Sequence, residues 1–487
     1  MRRIAVVLVA AALLAAACGQ KPNVARVAAG PTGGGDLGEL GPGAPGGGEE
    51  ATGTTLAPDG GATGPLDGGG TGGTGGTGGT GGTGGTGGTG GATGGTGGTG
   101  GSRTGTGGTT GGATPAGDRT GITDSEIVIG VHAPVTGAAP FPQSSFEAGK
   151  DVYWKFLNDK GGVYGRKVRV VFEDDKFDPR SAVQVCKKMV EQDKVFLLVG
   201  GGGADQITAC ARYANSVGVP YLSAGVNEDG LVGLRGYFAA SMTYSQQSPL
   251  LAQMIAKQFP GKKVGIAVAD SGSFDDAQRS ITREAQAAGL PIVYNKRIPK
   301  SASQTQALSI ANELRTAGAE VVYFLSSPTT FLNVAAAGAG QGYRPQYVGP
   351  GITSGLNTVA TVGCGAANSV DRARFFSPFP QLDVIDQMDP DYRPAYQKYA
   401  GGNPDDIGIA LWGLNKTLHQ FFLAAGKDMT RQSFVATLES GKQFASGVYP
   451  PLQFSPKNHL GASQTHVLQA DCGSRTYKTI ARFVSGF

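Results

Sequence analysis

The sequence predicts an α/β protein built from doubly wound parallel sheets. Three observations carry this. From Ile122 onward, short apolar runs alternate with helical segments, the pattern of parallel strands covered by helices. The stretch from Ile122 to Pro179 reads as strand, turn-rich loop, amphipathic helix, Gly-Gly turn, strand and Asp-Pro helix start, which is a βαβ unit. The apolar run Val195 to Val199 leads straight into Gly200-Gly201-Gly202-Gly203. That loop falls at the carboxyl end of a strand, where open α/β sheets bind ligands.

The elements follow in order. Ile127 to Val131 is the first strand, and a helix carrying Val152, Tyr153, Trp154, Phe156 and Leu157 comes next. Asp178 before Pro179 reads as an N-cap with proline at the first helical position. Cys210 and Tyr213 mark a helix after the glycine run, and Val219 to Ser223 is a strand. Pro249 to Phe259 reads as a helix, Lys263 to Ala269 as a strand and Ala277 to Ala288 as a helix. Pro291 to Arg297 is a strand, Gln304 to Ala317 a helix, Glu320 to Leu325 a strand and Gln346 to Gly349 a short one. After Pro380 the pattern turns helical, over Pro390 to Tyr399, Ile407 to Ala425 and Thr430 to Leu438. Gly447 to Phe487 reads as short strands and turns.

The N-terminus is an address. Arg2 and Arg3 precede an apolar run of 14 residues, Ile4 to Ala17, too short to span a bilayer comfortably. Residues 1–18 therefore read as an export signal. Ala15-Ala16-Ala17-Cys18-Gly19 is similar to a bacterial lipobox, with Leu14 one step earlier than the usual Leu. It implies a lipid on Cys18, anchoring the protein to the extracytoplasmic face of the cell membrane. Ordinary signal cleavage is the alternative.

Residues 19–121 contain no Phe, Tyr or Trp and repeat Gly-Gly-Thr from about Thr71 to Gly101. Such a segment cannot bury enough surface to offset chain entropy. It is expected to be a disordered tether with an r.m.s. span of roughly 50–60 Å. Residues 122–487 hold all 38 aromatics, enough chain for two lobes. The formal charge is +4, or +2 without Arg2 and Arg3, which is no footprint for nucleic acid. Four cysteines remain after Cys18: Cys186, Cys210, Cys364 and Cys472. In an exported protein they suggest two disulfides with three possible connectivities, or four buried thiols.

Chemistry-bearing patterns are sparse. Glu173, Asp174, Asp175 and Asp178 fit no EF-hand spacing. The four histidines, His132, His419, His459 and His466, form no metal-ligand pattern. Asp205 or Gln206 stands where a dinucleotide fingerprint needs glycine, and neither a nucleophile elbow nor a phosphate loop is present. No metal, no cofactor and no enzymatic activity are expected. Phe141, Tyr244 and Phe274 fall in loops or a crossover and are candidate ligand walls.

Several stretches carry a resemblance. NDKGGVYGR (Asn158 to Arg166), EDDKFDP (Glu173 to Pro179), VPYLSAG (Val219 to Gly225) and YVGP (Tyr347 to Pro350) are similar, in order and spacing, to the type I periplasmic solute-binding proteins of ABC importers, in the leucine/isoleucine/valine-binding branch. The resemblance implies two doubly wound lobes joined by three crossovers, near Ser241 to Ser248, Phe376 to Gln381 and Val448 to Leu452. Residues 122–244 with 381–449 would form one lobe, and 245–380 with 450–487 the other. It favours the pairings 186–210 and 364–472. It implies a monomer that captures a small organic molecule, an amino acid or a relative of one, between the lobes for delivery to a membrane permease. A sensor signalling through a membrane partner is the alternative, because fold does not set function.

Carried over by position, the ligand would meet Phe141, Gly203, Ala204, Asp205, Ser223, Gly225, Asn227, Tyr244, Phe274 and Gly351. Here the chain departs from the family pattern. Gly203-Ala204-Asp205 stands where Ser or Thr is usual, Asn227 where Thr often stands, and Gly351 where an acid would pair with an ammonium. Phe274 lacks the hydroxyl of the usual aromatic. These departures point away from an ordinary branched-chain amino acid, toward a less zwitterionic molecule. Asp205 is the alternative ammonium partner.

Overall fold

A computed structural model describes residues 117–351 and 353–487. The leader, Cys18 and the Gly/Thr-rich segment through residue 116 lie outside the described residues. The folded part begins before Ile122. Asp118 ion-pairs with Arg431 at 2.5 Å, its carbonyl accepts from Arg431 N at 2.8 Å, and Gly121 O accepts from Val128 N at 2.8 Å. Residues 117–121 thus belong to the first lobe, because a buried guanidinium needs Asp118 as its counter-ion.

Two sheets repeat one topology. In the first, β1 (Glu126–Ala133), β2 (Lys167–Asp174), β3 (Leu197–Gly200), β4 (Tyr221–Ser223) and β5 (Tyr237–Ala239) lie in the order β2-β1-β3-β4-β5, all parallel. In the second, β6 (Val264–Ala269), β7 (Ile292–Ile298), β8 (Val321–Leu325), β9 (Gln346–Gly349) and β10 (Arg374–Ser377) run parallel in the order β7-β6-β8-β9-β10. This is the doubly wound order, repeated. A ribbon of β11 (Gln443–Phe444) and β12 (Leu452–Gln453) follows. Then β13 (Thr465–Asp471) and β14 (Thr476–Val484) extend the second sheet antiparallel beyond β10.

The central strands of both sheets are apolar because helices cover both faces, while the edge strands β2 and β7 carry charged residues. β6 and β8 are buried along their whole length. The helix Pro179–Glu191 starts as its sequence demands, with Asp178 Oδ1 accepting from Ser181 N at 2.8 Å and Pro179 in the first turn. The first amphipathic helix is two pieces, Gln143–Gly149 and Val152–Asp159. A Cβ at Gly149 would lie 3.1 Å from Gly408 Cα, so the first piece packs backbone to backbone on the helix Asp406–Ala425.

The helix at Pro249 begins earlier than the proline suggests, spanning Tyr244–Gln258 with a capping box of Thr243 and Gln246. A mid-helix proline leaves the carbonyl four residues back without its donor. Here that carbonyl, on Ser245, accepts from Ser280 Oγ at 3.2 Å. β5 and β10, each three or four residues long, carry no periodic signal, and the C-terminal strands are longer than read.

Chain crossings between the sheets follow β5, β10 and β12. The third lies further along than Val448 to Leu452. Leu452 still pairs with Phe444, and Ala239 N donates to His459 O at 3.0 Å. Residues 450–460 therefore stay with the first sheet, held by main-chain hydrogen bonds that periodicity does not reveal.

Two disulfides join Cys186 to Cys210 and Cys364 to Cys472, with Cα–Cα distances of 6.1 and 5.1 Å. Each lies within a single lobe, the first disulfide in the first lobe and the second in the other. The first ties consecutive helices; the second ties the helix Asn357–Gly365 to the residue after β13. No helix among the described residues is long and apolar enough to cross a membrane.

Candidate ligand-binding cleft

In a doubly wound sheet, adjacent loops part where the strand order reverses, leaving a crevice at the carboxyl edge. Here the order reverses between β1 and β3 in the first lobe and between β6 and β8 in the second. The loops after these four strands carry Phe141, Gly202 and Gly203, Phe274, and Ser326 and Ser327, and all of them line one cleft. Its empty space is about 890 Å³, a figure that includes solvent at the open mouth.

The glycine run makes room for side chains. A Cβ at Gly200 would lie 2.2 Å from the His132 ring, at Gly202 2.6 Å from Phe141, and at Gly203 2.1 Å from Gln206 Oε1. Gly203 also N-caps the helix Ala204–Ser216. Asp205, in its first turn, crosses the cleft to Lys300, which follows β7, and accepts from Ser271 Oγ at 2.9 Å. Burial pushes the Asp205 carboxyl upward, but Lys300 and the two serines Ser273 and Ser271 outweigh it and hold it below the usual range. Lys300 Nζ also stands 5.2 Å over the Phe177 ring.

Gln206 is the unusual group. It is fully buried, it lines the cleft, and neither its Nε2 nor its Oε1 has a hydrogen-bond partner. Leaving a buried amide unpaired costs about 1–3 kcal/mol, which a ligand with both a donor and an acceptor would recover.

Of the ten positions expected at the ligand, six line this cleft: Phe141, Gly203, Ala204, Asp205, Tyr244 and Phe274. The Tyr244 and Phe274 rings lie 5.8 Å apart. Gly225 and Gly351 border an adjoining recess shared with Phe141, Gly202 and Tyr244. The Gly351 amide donates to Gln247 Oε1 at 3.2 Å, and the Gly225 amide to Ser241 Oγ at 2.8 Å. Ser223 and Asn227 are turned elsewhere. Ser223 Oγ donates to Ala224 O and lies 3.1 Å from Tyr237 OH. Asn227 Nδ2 donates to Thr208 Oγ1 at 3.1 Å and Asp229 O at 2.6 Å. Their polar atoms are spent on tying β4 and its following loop to neighbouring elements.

Gln206, Lys300, Phe177, Ser326 and Ser327 line the cleft as well, outside the ten expected positions. The serines had a signal: Ser326-Ser327-Pro328 follows β8 directly, and Ser327 Oγ caps the next helix by accepting from Thr330 N at 3.3 Å. Lys300 had none, since its partner lies 95 residues away.

The acidic stretch after β2 is structural. Asp174 accepts from Val135 N at 3.0 Å and from Thr136 and Lys176, so it shapes the loop that carries Phe141. Burial raises its carboxyl, but these donors prevail and keep it below the usual range. Asp175 Oδ2 lies 2.8 Å from His132 Nδ1, and His132 Nε2 lies 2.8 Å from Tyr221 OH. His132 approaches Cys186 and Cys210 closely enough to suggest a metal. The two sulfurs are joined as a disulfide, so they offer no thiolate to an ion.

A model of the periplasmic binding protein family matches residues 126–475. An amino acid binding protein of Pseudomonas aeruginosa is 27% identical over 203 residues, 41% of this chain and about half (54%) of that protein's length. The Leu/Ile/Val-binding protein homolog 1 of Brucella suis is 23% identical over 330 residues, 65% of this chain and 83% of its own. The structure of a fatty acid ABC transporter substrate-binding protein from Thermomonospora curvata superposes with a TM-score of 0.64 at 17% identity, covering 76% of this chain and 95% of that one. The twice-repeated doubly wound sheet, the three crossings and the interlobe cleft are those of the type I binding-protein fold, and the chain belongs to the periplasmic binding protein family.

Proposed function

We propose that this protein is a lipid-anchored, extracytoplasmic solute-binding protein that captures a small organic molecule between its lobes and delivers it to the permease of an ABC importer. The observation that carries the reading is the cleft itself. Loops from both lobes meet in it, and it contains a buried amide with no protein partner and an ion pair, Asp205–Lys300, that spans the two lobes. Closing two lobes on a ligand reshapes the outer surface that a permease would meet. The relatives named as amino acid and Leu/Ile/Val-binding proteins support a small organic solute. Cys18, behind a short apolar leader, is the proposed anchor, and the Gly/Thr-rich segment separates it from the folded lobes.

The test is thermal unfolding of the full chain against amino acids, amides, aromatic acids and polyols. A ligand that binds only the folded state stabilises it by about 2.7 kcal/mol at a hundredfold excess over its dissociation constant. A raised midpoint for one chemical class, lost in Asp205→Asn or Lys300→Met, supports capture in this cleft. A shift that survives both substitutions places the ligand elsewhere and refutes this assignment.

A further inference from the structure

Behind the cleft lies a second chamber, with about 650 Å³ of empty space including its opening. Phe141 and Leu356 border both spaces. Its walls are Val131 and Ala133 of β1, Val199 of β3, Phe146, and Ile407, Ala410, Leu411 and Leu414 along one stripe of the helix Asp406–Ala425. Only two side chains with polar atoms face it, and both are engaged within the protein. His132 is held through both ring nitrogens by Asp175 and Tyr221, and Tyr449 OH donates to Ala410 O at 3.0 Å. Such a chamber accepts hydrocarbon and offers no side-chain partner to anything polar.

The cleft in front of it has the opposite character. Gln206 presents a free donor and a free acceptor. Lys300 carries three ammonium protons, and Asp205 occupies its near side. We infer that the ligand is an amphiphile: a carboxylic acid or carboxamide whose head meets Gln206 and Lys300, with a hydrocarbon body passing Phe141 and Leu356 into the chamber. The inference rests on reading the cleft as the ligand site and names the chemical class it takes. A branched-chain amino acid would bring only a short side chain to the chamber, where a longer hydrocarbon buries more apolar surface.

The experiment is calorimetric titration of the full chain with straight-chain carboxylates from butanoate to decanoate, with leucine alongside. Each methylene buried should tighten binding roughly fourfold until the chamber is filled. Leu411→Phe, which fills the chamber from the helix, should abolish the gain for long chains and spare butanoate. Gln206→Leu should weaken every length about equally, by roughly tenfold or more, and should raise the thermal midpoint of the free protein by removing an unpaired buried amide. Affinity that is flat with chain length, or leucine binding more tightly than any longer acid, overturns the amphiphile and leaves the cleft standing as a ligand site. No binding by any carboxylate or by leucine overturns both.

Discussion

Asp406 offers a quantitative test of how the lobes are joined. It opens the helix Asp406–Ala425 of the first lobe and is 2% exposed. Its Oδ2 accepts from Asn357 N of the second lobe at 2.6 Å and from Gln381 Nε2, in the second crossing, at 3.4 Å. Burial, with Asp405 nearby, pushes its carboxyl up from 3.8 to about 6 against those two donors. The folded state therefore binds this proton more tightly than the unfolded one. Stability from Asp406 is fully present below pH 4 and falls as pH rises through 6. The whole effect is on the order of 3 kcal/mol, most of which falls between pH 4 and 7. Asp406→Asn keeps an acceptor for Asn357 and cannot titrate. In urea unfolding of both proteins across this range, the stability difference should move by about 2 kcal/mol in favour of the variant as pH rises. Parallel profiles for the two proteins would refute the burial argument, and a movement in the opposite direction would mean that the ionised form is the one the crossing stabilises.

Three further outcomes follow from the same geometry. Replacing Cys364 and Cys472 with Ser should cost about 4.8 kcal/mol from the 108-residue loop, against about 3.5 kcal/mol for Cys186 and Cys210 with 24, read by urea denaturation; equal losses would refute the loop-entropy account. Gly200→Ala pushes a methyl into the His132 ring, which Asp175 and Tyr221 hold from both sides, so it should cost about 3 kcal/mol, and an unchanged melting midpoint would show that the ring moves freely. Lys300→Met removes a partly exposed pair and should cost at most about 1 kcal/mol of stability, while small-angle scattering of the free protein should show a wider population of open lobes; an unchanged profile would deny the pair any part in holding them together.

Much of the fold was legible locally because its causes are local. Strand and helix alternation reports burial on parallel sheets, and Asp178-Pro179 caps a helix with atoms two or three residues apart. The glycine run after an apolar strand pointed to the cleft for the same reason: a sharp exit at a sheet's carboxyl edge is a property of neighbouring residues. Six of the ten expected ligand positions line that cleft because strand ends, once identified, fall there by topology. Ser223 and Asn227 do not, because their side-chain partners, Tyr237 and Thr208, are reached only after the chain has folded.

The sequence by itself thus determined the α/β class, the two-lobed plan and the edge at which a ligand would sit. The tertiary structure alone decided what that ligand would meet. Lys300 meets Asp205 across 95 residues, and the helix Asp406–Ala425 closes the apolar chamber against β1, far earlier in the chain. Gln206 looks like any helix-surface amide until packing removes both water and partners from it. Periodicity records how a residue sits on its own element. The chemistry of a site depends on which other elements are brought against it, and that is settled by packing over the whole chain.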